Sequence, residues 1–270
     1  MLLVRLRALR DAVRLHLGLG LLALICLSWS LLSIPLRYLL PRKQGQWLGR
    51  WGLTVVFRLY LRLLTLIGAC RFDLRALDAL RDQPATIIAP NHPSLLDAVM
   101  IISRVPHLAC IMKADIMNNI LFGSGARLAR YIRNDSLRSM VQLAVTEVRS
   151  GSHLLLFPEG TRTTRSPVNG LQGTAGLIAK YAQAPVQAVF IETSDAAFLG
   201  KKSALFRKTP MPVSYRLRLG KRFDPPQNVE AFALELEQYF KTELTDAKLA
   251  DLPPGAAPRD AGPPSDLFHG

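Results

Sequence analysis

Apolar positions along this chain fall into two regimes that meet near residue 70. Before that point the apolar stretches are long. Residues 17–36 carry no formal charge, and at about 1.5 Å of rise per helical residue they are long enough to cross a hydrocarbon core of about 30 Å. Residues 51–66 form a second helical stretch in which Arg58 and Arg62 stand four apart among Val, Phe, Leu and Tyr. That spacing puts one cationic stripe on an apolar helix, which suits a headgroup boundary and equally suits a helix packed on a domain with two solvated arginines. From Arg71 onward, short apolar runs alternate with helical periods, the pattern of an α/β domain with a central mixed sheet flanked by helices.

Within the second regime, residues 85–89 read as a buried strand cut off by Pro90, and residues 95–103 as a helix with Ser94 as its cap. Residues 107–112 are a further apolar run. Residues 136–149 are helical and end before Gly151, and residues 153–157 are a strand stopped by Pro158. A helix over 173–181, a strand over 186–191 and an amphipathic helix over 229–249 follow. Residues 213–219 alternate with the period of an exposed or edge strand. The expected organisation is a membrane-associating helical segment over 1–66, an α/β domain over 67–250, and a Pro- and Gly-rich tail over 251–270 too poor in apolar residues to order.

Composition sharpens this picture in one respect. A hydrophobic content of 49%, a mean hydropathy of +0.18 and a formal charge of +14 pair apolar with basic character, as at a membrane surface. Nucleic acid is not expected as a partner, because the cations sit among leucines and no nucleic-acid motif is visible. The three cysteines, Cys26, Cys70 and Cys110, have neither metal-ligand spacing nor the even number of a disulfide framework. Arg5, Arg7, Arg10 and Arg14 precede the uncharged run while Arg37, Arg42, Lys43 and Arg50 follow it, so the positive-inside rule nearly ties. Basic residues on both sides suit a helix that dips into the bilayer and returns. A cleaved signal peptide fits less well: the run is long for its apolar region and no small-residue cleavage site follows.

Two segments carry chemistry. His92, in Asn91-His92-Pro93-Ser94-Leu95-Leu96-Asp97, follows a strand end, where α/β folds place ligand crevices. Asp97 comes about one helical turn later. A neutral imidazole is a suitable base near neutral pH, and a carboxylate on its far nitrogen fixes the tautomer and stabilises the cation formed on proton uptake. The second segment, Phe157-Pro158-Glu159-Gly160-Thr161-Arg162-Thr163, is a strand end running into Pro and Gly, which exposes a turn with little obstruction. There Arg162 can present a planar donor fork to a phosphate. Taken singly, each segment also reads as ordinary structure, a histidine with a nearby aspartate and a turn with a surface ion pair.

Together the two segments resemble the glycerolipid acyltransferase family whose best-known members are 1-acylglycerol-3-phosphate acyltransferases. The family's Asn-His-x-x-x-x-Asp block is met by Asn91, His92 and Asp97, and its Phe-Pro-Glu-Gly-Thr-Arg block by Phe157 through Arg162, with Thr163 where Ser is usual. Arg133, in Tyr131-Ile132-Arg133-Asn134, resembles the arginine of a further block, and Ala184-Pro185-Val186 resembles a fourth. The likeness covers roughly residues 70–225. It implies transfer of a fatty acyl group from acyl-CoA or acyl-carrier protein, as co-substrate, to a lysolipid hydroxyl. His92 is then the base held by Asp97, and Glu159, Gly160, Thr161, Arg162 and Arg133 bind the acceptor. It implies no metal, no other cofactor and no covalent acyl-enzyme. Its product with lysophosphatidate is phosphatidate, and its setting is phospholipid biosynthesis at the cytoplasmic face of a membrane, the inner membrane if the source is bacterial. Two departures bear on the acceptor: Gln172 precedes Gly173 where members often carry Lys, and residues 123–130 approach Arg133 irregularly. A lyso-aminolipid such as lyso-ornithine lipid stays open. A noncatalytic membrane-binding protein would account for charge and hydropathy, but leaves both segments unexplained.

Overall fold

The computed structural model describes residues 2–119, 123–195, 198–201 and 209–250. The tail expected to lack order, 251–270, lies outside them. The first regime forms two antiparallel-connected helices, α1 (Leu2–Leu39) and α2 (Arg42–Leu66), parted at Pro41. One face of α1 docks through Gly18, Leu22, Cys26, Ser30 and Ser33, spaced so that they fall in one stripe. The opposite face leaves Leu17, Leu24, Leu31 and Ile34 exposed. By length and composition α1 is a helix able to cross a membrane.

The helix expected over 51–66 begins earlier, at Arg42, because Gly45 and Gly49 serve close packing rather than breaking the helix. A Cβ at Gly49 would stand 2.4 Å from the backbone nitrogen of Ala129, so only glycine lets α2 lie this close to its neighbour. Arg58 is not part of a free cationic stripe: its Nε and Nη2 donate to the Ser103 carbonyl at 3.3 and 3.2 Å, while Arg62 stays exposed.

The second regime is a mixed seven-stranded sheet in the order β1-β7-β6-β2-β5-β3-β4. Its strands are β1 (Cys70–Asp73), β2 (Ile87–Pro90), β3 (Ala109–Lys113), β4 (Ile132–Asn134), β5 (Leu154–Leu155), β6 (Val186–Thr193) and β7 (Val213–Phe223). Every neighbouring pair is parallel except β6 and β7. Between them run α3 (Asp97–Arg104), α4 (Ala114–Asn118), α5 (Gly123–Leu128), α6 (Leu137–Arg149) and α7 (Thr174–Ala182), and α8 (Val229–Ala250) closes the domain. One apolar cluster joins α1, α2 and α3 to one face of the sheet, and a second joins α6, α7 and α8 to the other.

Of the two alternatives expected for β7, exposed or edge, the structure shows the exposed one: β1 pairs on its outer side, Phe72 opposite Tyr215. Its early alternation of buried and exposed residues comes from a face left open around Ser214 and Arg216, not from an unpaired backbone. β1, β4, α4 and α5 are too short to leave a period and went unread. The helix begun at 95 in sequence starts at Asp97.

What matters for the site is the middle of the order. β2 and β5 are parallel neighbours, Ile87 opposite Leu154 and Ile88 opposite Leu155. The loops that leave their carboxyl ends, 91–96 and 156–173, therefore emerge side by side.

Candidate active site

The loop after β2 is held by side chains standing in for backbone. β2 ends at Pro90, opposite Val189 of β6. One residue on, the Asn91 amide continues the ladder: its Oδ1 accepts from the Ile191 N–H at 2.7 Å and its Nδ2 donates to the Ile191 carbonyl at 3.1 Å. The chain is thus kept in line with β6 until His92, whose side chain turns out at 18% exposure.

His92 Nδ1 lies 2.8 Å from Asp97 Oδ2, and the same oxygen accepts the Ser94 N–H at 2.8 Å. With Nδ1 bound to a carboxylate, that nitrogen carries the proton and Nε2 keeps its lone pair. Asp97 is fully buried, and its Oδ1 has no hydrogen-bond partner among the described residues. Burial pushes the Asp97 carboxyl up to about 6, opposed by the His92 and Ser94 hydrogen bonds and aided by the nearby Glu159 charge. The Phe157 ring stacks on the imidazole with centroids 3.9 Å apart, which restrains its tilt.

The loop after β5 is built around Glu159, which is 4% exposed. Its Oε1 accepts from the His92 N–H at 2.9 Å and from the Thr163 hydroxyl at 2.7 Å, and its Oε2 accepts from the Asn169 N–H at 2.8 Å. The Thr163 N–H returns to the His92 carbonyl at 2.7 Å. Two loops far apart in sequence are therefore cross-linked at the histidine itself. Glu159 makes these bonds rather than an ion pair with Arg162.

Gly160 has φ +65, and a Cβ there would meet the Gln172 side-chain amide at 2.6 Å. Arg162 is half-buried, and its Nη1 donates to the carbonyls of Leu199 and Gly200 at 2.8 and 3.2 Å. The Leu199 carbonyl also accepts the Leu95 N–H at 3.1 Å, so the guanidinium joins the histidine's own loop through one oxygen. Its Nε and Nη2 are not used by those carbonyls. Thr161, beside it, is half-buried.

Arg133 stands elsewhere on the same edge. It belongs to β4, three strands from β2, and about 14 Å separates them at ordinary strand spacing. It pairs with Asp135 and donates to Asn118. The structure thus brings His92, Asp97, Glu159, Gly160, Thr161 and Arg162 together in two cross-linked loops at the ends of β2 and β5, and leaves Arg133 three strands away.

Three participants were not singled out in sequence. Asn169 accepts the Thr164 and Arg165 N–H groups on its Oδ1 and donates to the Arg162 carbonyl, shaping the whole loop. The Asn169-Gly170 dipeptide, a turn marker, was the available signal. Phe157 was visible only as part of a motif. Tyr215, 2% exposed on β7, reaches the Ser94 hydroxyl at 3.0 Å across 121 residues, and nothing local announces it.

A base with its proton-bearing nitrogen held by a carboxylate, beside a cation on a glycine turn, can take a proton from a hydroxyl while an anionic group is held nearby. Residues 71–192 match the family model described as Acyltransferase, a span that takes in both loops. The fold is similar to that in a crystal structure of the 1-acyl-sn-glycerophosphate (LPA) acyltransferase PlsC from Thermotoga maritima. The TM-score is 0.68 at 18% identity, over 90% of this chain and 97% of that chain.

Proposed function

We propose, from the match of residues 71–192 to the Acyltransferase family model, that this chain is an acyltransferase that moves a fatty acyl group from acyl-CoA or acyl-carrier protein to a lysophospholipid hydroxyl. The acceptor is 1-acylglycerol-3-phosphate and the product phosphatidate. The observation that carries this reading is the cross-link of the His92 and Arg162 loops at the ends of neighbouring strands.

In this scheme His92 Nε2 takes the acceptor hydroxyl proton as the oxygen attacks the thioester carbonyl. The C–O bond forms and the C–S bond breaks. The departing thiolate recovers the proton from the imidazolium, which Asp97 stabilises while it lasts. The thioester is already activated, so the acceptor oxygen is the only nucleophile required. Arg162, through the donors its carbonyl partners do not use, holds the acceptor's phosphate, with Gly160 and Thr161 giving it room. Arg133 attracts the anion along the crevice margin, and Glu159 serves by fixing both loops.

The exposed leucines of α1, opposite its docked stripe, lie in the membrane at its cytoplasmic face, the inner membrane if the source is bacterial. One observation favours a second acceptor. Gln172 lays a neutral amide over Gly160, where relatives often carry Lys, and a lyso-aminolipid such as lyso-ornithine lipid needs one cation fewer. Purified protein assayed against a panel of lysolipids with both donors separates these readings. His92→Ala should abolish transfer while folding and liposome sedimentation persist. Transfer near the wild-type rate in that variant would reject the mechanism.

A further inference from the structure

Behind the His92–Asp97 pair runs a buried hydrogen-bonded path that the reaction scheme does not use. Asp97 Oδ2 accepts the Ser94 N–H, the Ser94 hydroxyl accepts the Leu96 N–H at 3.3 Å, and that hydroxyl meets the Tyr215 hydroxyl at 3.0 Å. Ser94 is 1% and Tyr215 2% exposed, so neither can exchange its partner for water. Tyr215 is itself fixed by its neighbours: Phe72 of β1 stacks on its ring at 5.7 Å, and its backbone pairs with β1 on one side and β6 on the other. The turn that presents the carboxylate to the imidazole is thus anchored to a strand outside both chemical segments.

We infer that Tyr215 is a positioning residue for the transfer reaction: through the Ser94 hydroxyl it holds the 94–97 turn so that Asp97 keeps His92 in its working orientation. The inference rests on the proposed role of His92 as base. Without the Tyr215 hydroxyl, the Ser94 hydroxyl keeps only the longer bond from the Leu96 N–H, the 94–97 turn loses its tie to β7, and the Ser94 N–H bond to Asp97 loosens. The carboxylate then loses a donor that favours its charged form, and its titration moves to higher pH. The titratable groups facing Asp97 are His92, Glu159 and Tyr215, and only the last is altered in the test.

The experiment measures kcat, KM for donor and acceptor, the pH profile and the thermal midpoint in Tyr215→Phe, Ser94→Ala and the double variant of the full chain. Each single variant should lower kcat about tenfold, the weight of one hydrogen bond, at unchanged KM. Each should shift the acid limb of the profile upward, and the double variant should be no worse than either, because both cut the same path. Phe72→Leu, which removes packing on the ring but spares the hydroxyls, should lower the thermal midpoint without moving the acid limb. Wild-type kcat and acid limb in both single variants, or additive losses in the double, would overturn the inference. His92→Ala keeps the two claims apart. If it remains active, the catalytic reading itself fails; if it is dead while Tyr215→Phe keeps the wild-type profile, only the role given to Tyr215 fails.

Discussion

Two buried charges of this protein are treated in opposite ways. In α2, Arg50 is 4% exposed and every direction of its guanidinium is used: Nε donates to the Ala129 carbonyl, Nη1 to the His107 carbonyl and the Ser152 hydroxyl, and Nη2 to Glu147 at 2.8 Å. Glu147 accepts further from Gln46 and Ser152. Asp97 is more deeply buried, yet it faces no cation other than an imidazole that must be protonated to become one, and one of its oxygens has no partner among the described residues. Depth alone therefore says nothing about role. The Arg50 charge is cancelled where it sits and clamps α2 onto α6 and onto the loops at His107, Ala129 and Ser152. The Asp97 charge awaits a proton arriving at His92, and the unfavourable burial is the source of its readiness.

The sharpest way to break the contrast is Asp97→Asn. A neutral isostere offers His92 an amide in place of the carboxylate and can reverse its tautomer, so kcat should fall by about three to four orders of magnitude. Steady-state assay with saturating acceptor reads this loss directly. Stability should not fall with it, and a marked drop in unfolding free energy would place Asp97 with Arg50 as a structural charge.

Arg50→Ala should do the reverse. It leaves Glu147 without its cation and should lower the unfolding free energy by about 3 kcal/mol. Denaturant unfolding in detergent measures this, and the surviving folded fraction should turn over acceptor at nearly the wild-type rate per molecule. A large fall in that per-molecule rate would mean the clamp reaches the crevice.

pH gives a third comparison. Burial raises the Asp97 carboxyl in the folded protein from an ordinary value of 3.8 to about 6. The folded state therefore binds this proton more tightly, and the stabilisation it brings is full below the unfolded value and lost as pH rises through the folded one. Wild type should be about 2 kcal/mol less stable than Asp97→Asn at pH 7, a gap that closes toward pH 4. Activity should move oppositely, falling as pH drops below about 6. A gap independent of pH would show that Asp97 is not charged in the resting enzyme.

Gly160→Ala should have the smallest effect. A left-handed φ of +65 and the Gln172 amide in the way should destabilise the turn by about 1–2 kcal/mol. The acceptor's KM should rise more than the donor's. Equal changes in both would assign Gly160 to folding of the loop alone.

The elements legible in sequence were those with a long period or a sharp stop. α6, α8, β6 and the strand halted at Pro90 lie within a few residues of where pattern put them. The two chemical segments were legible because each is continuous. Their meeting was not, since it depends on β5 inserting beside β2, which no local period encodes. For the same reason Glu159 read as an acceptor-binding residue of its own turn, when its bonds go to His92, Thr163 and Asn169. Tyr215 was hidden behind an alternation that marks any half-open strand.

The amide of Asn91 has a consequence for anyone moving this chemistry. It presents one acceptor and one donor to the two backbone groups of Ile191, doing the work of a peptide unit just where proline has ended the strand. Aspartate would lack the donor and leucine both, so a graft carrying only histidine and its carboxylate into another parallel sheet would leave the imidazole on an untethered leash. The transplantable unit begins one residue before the base.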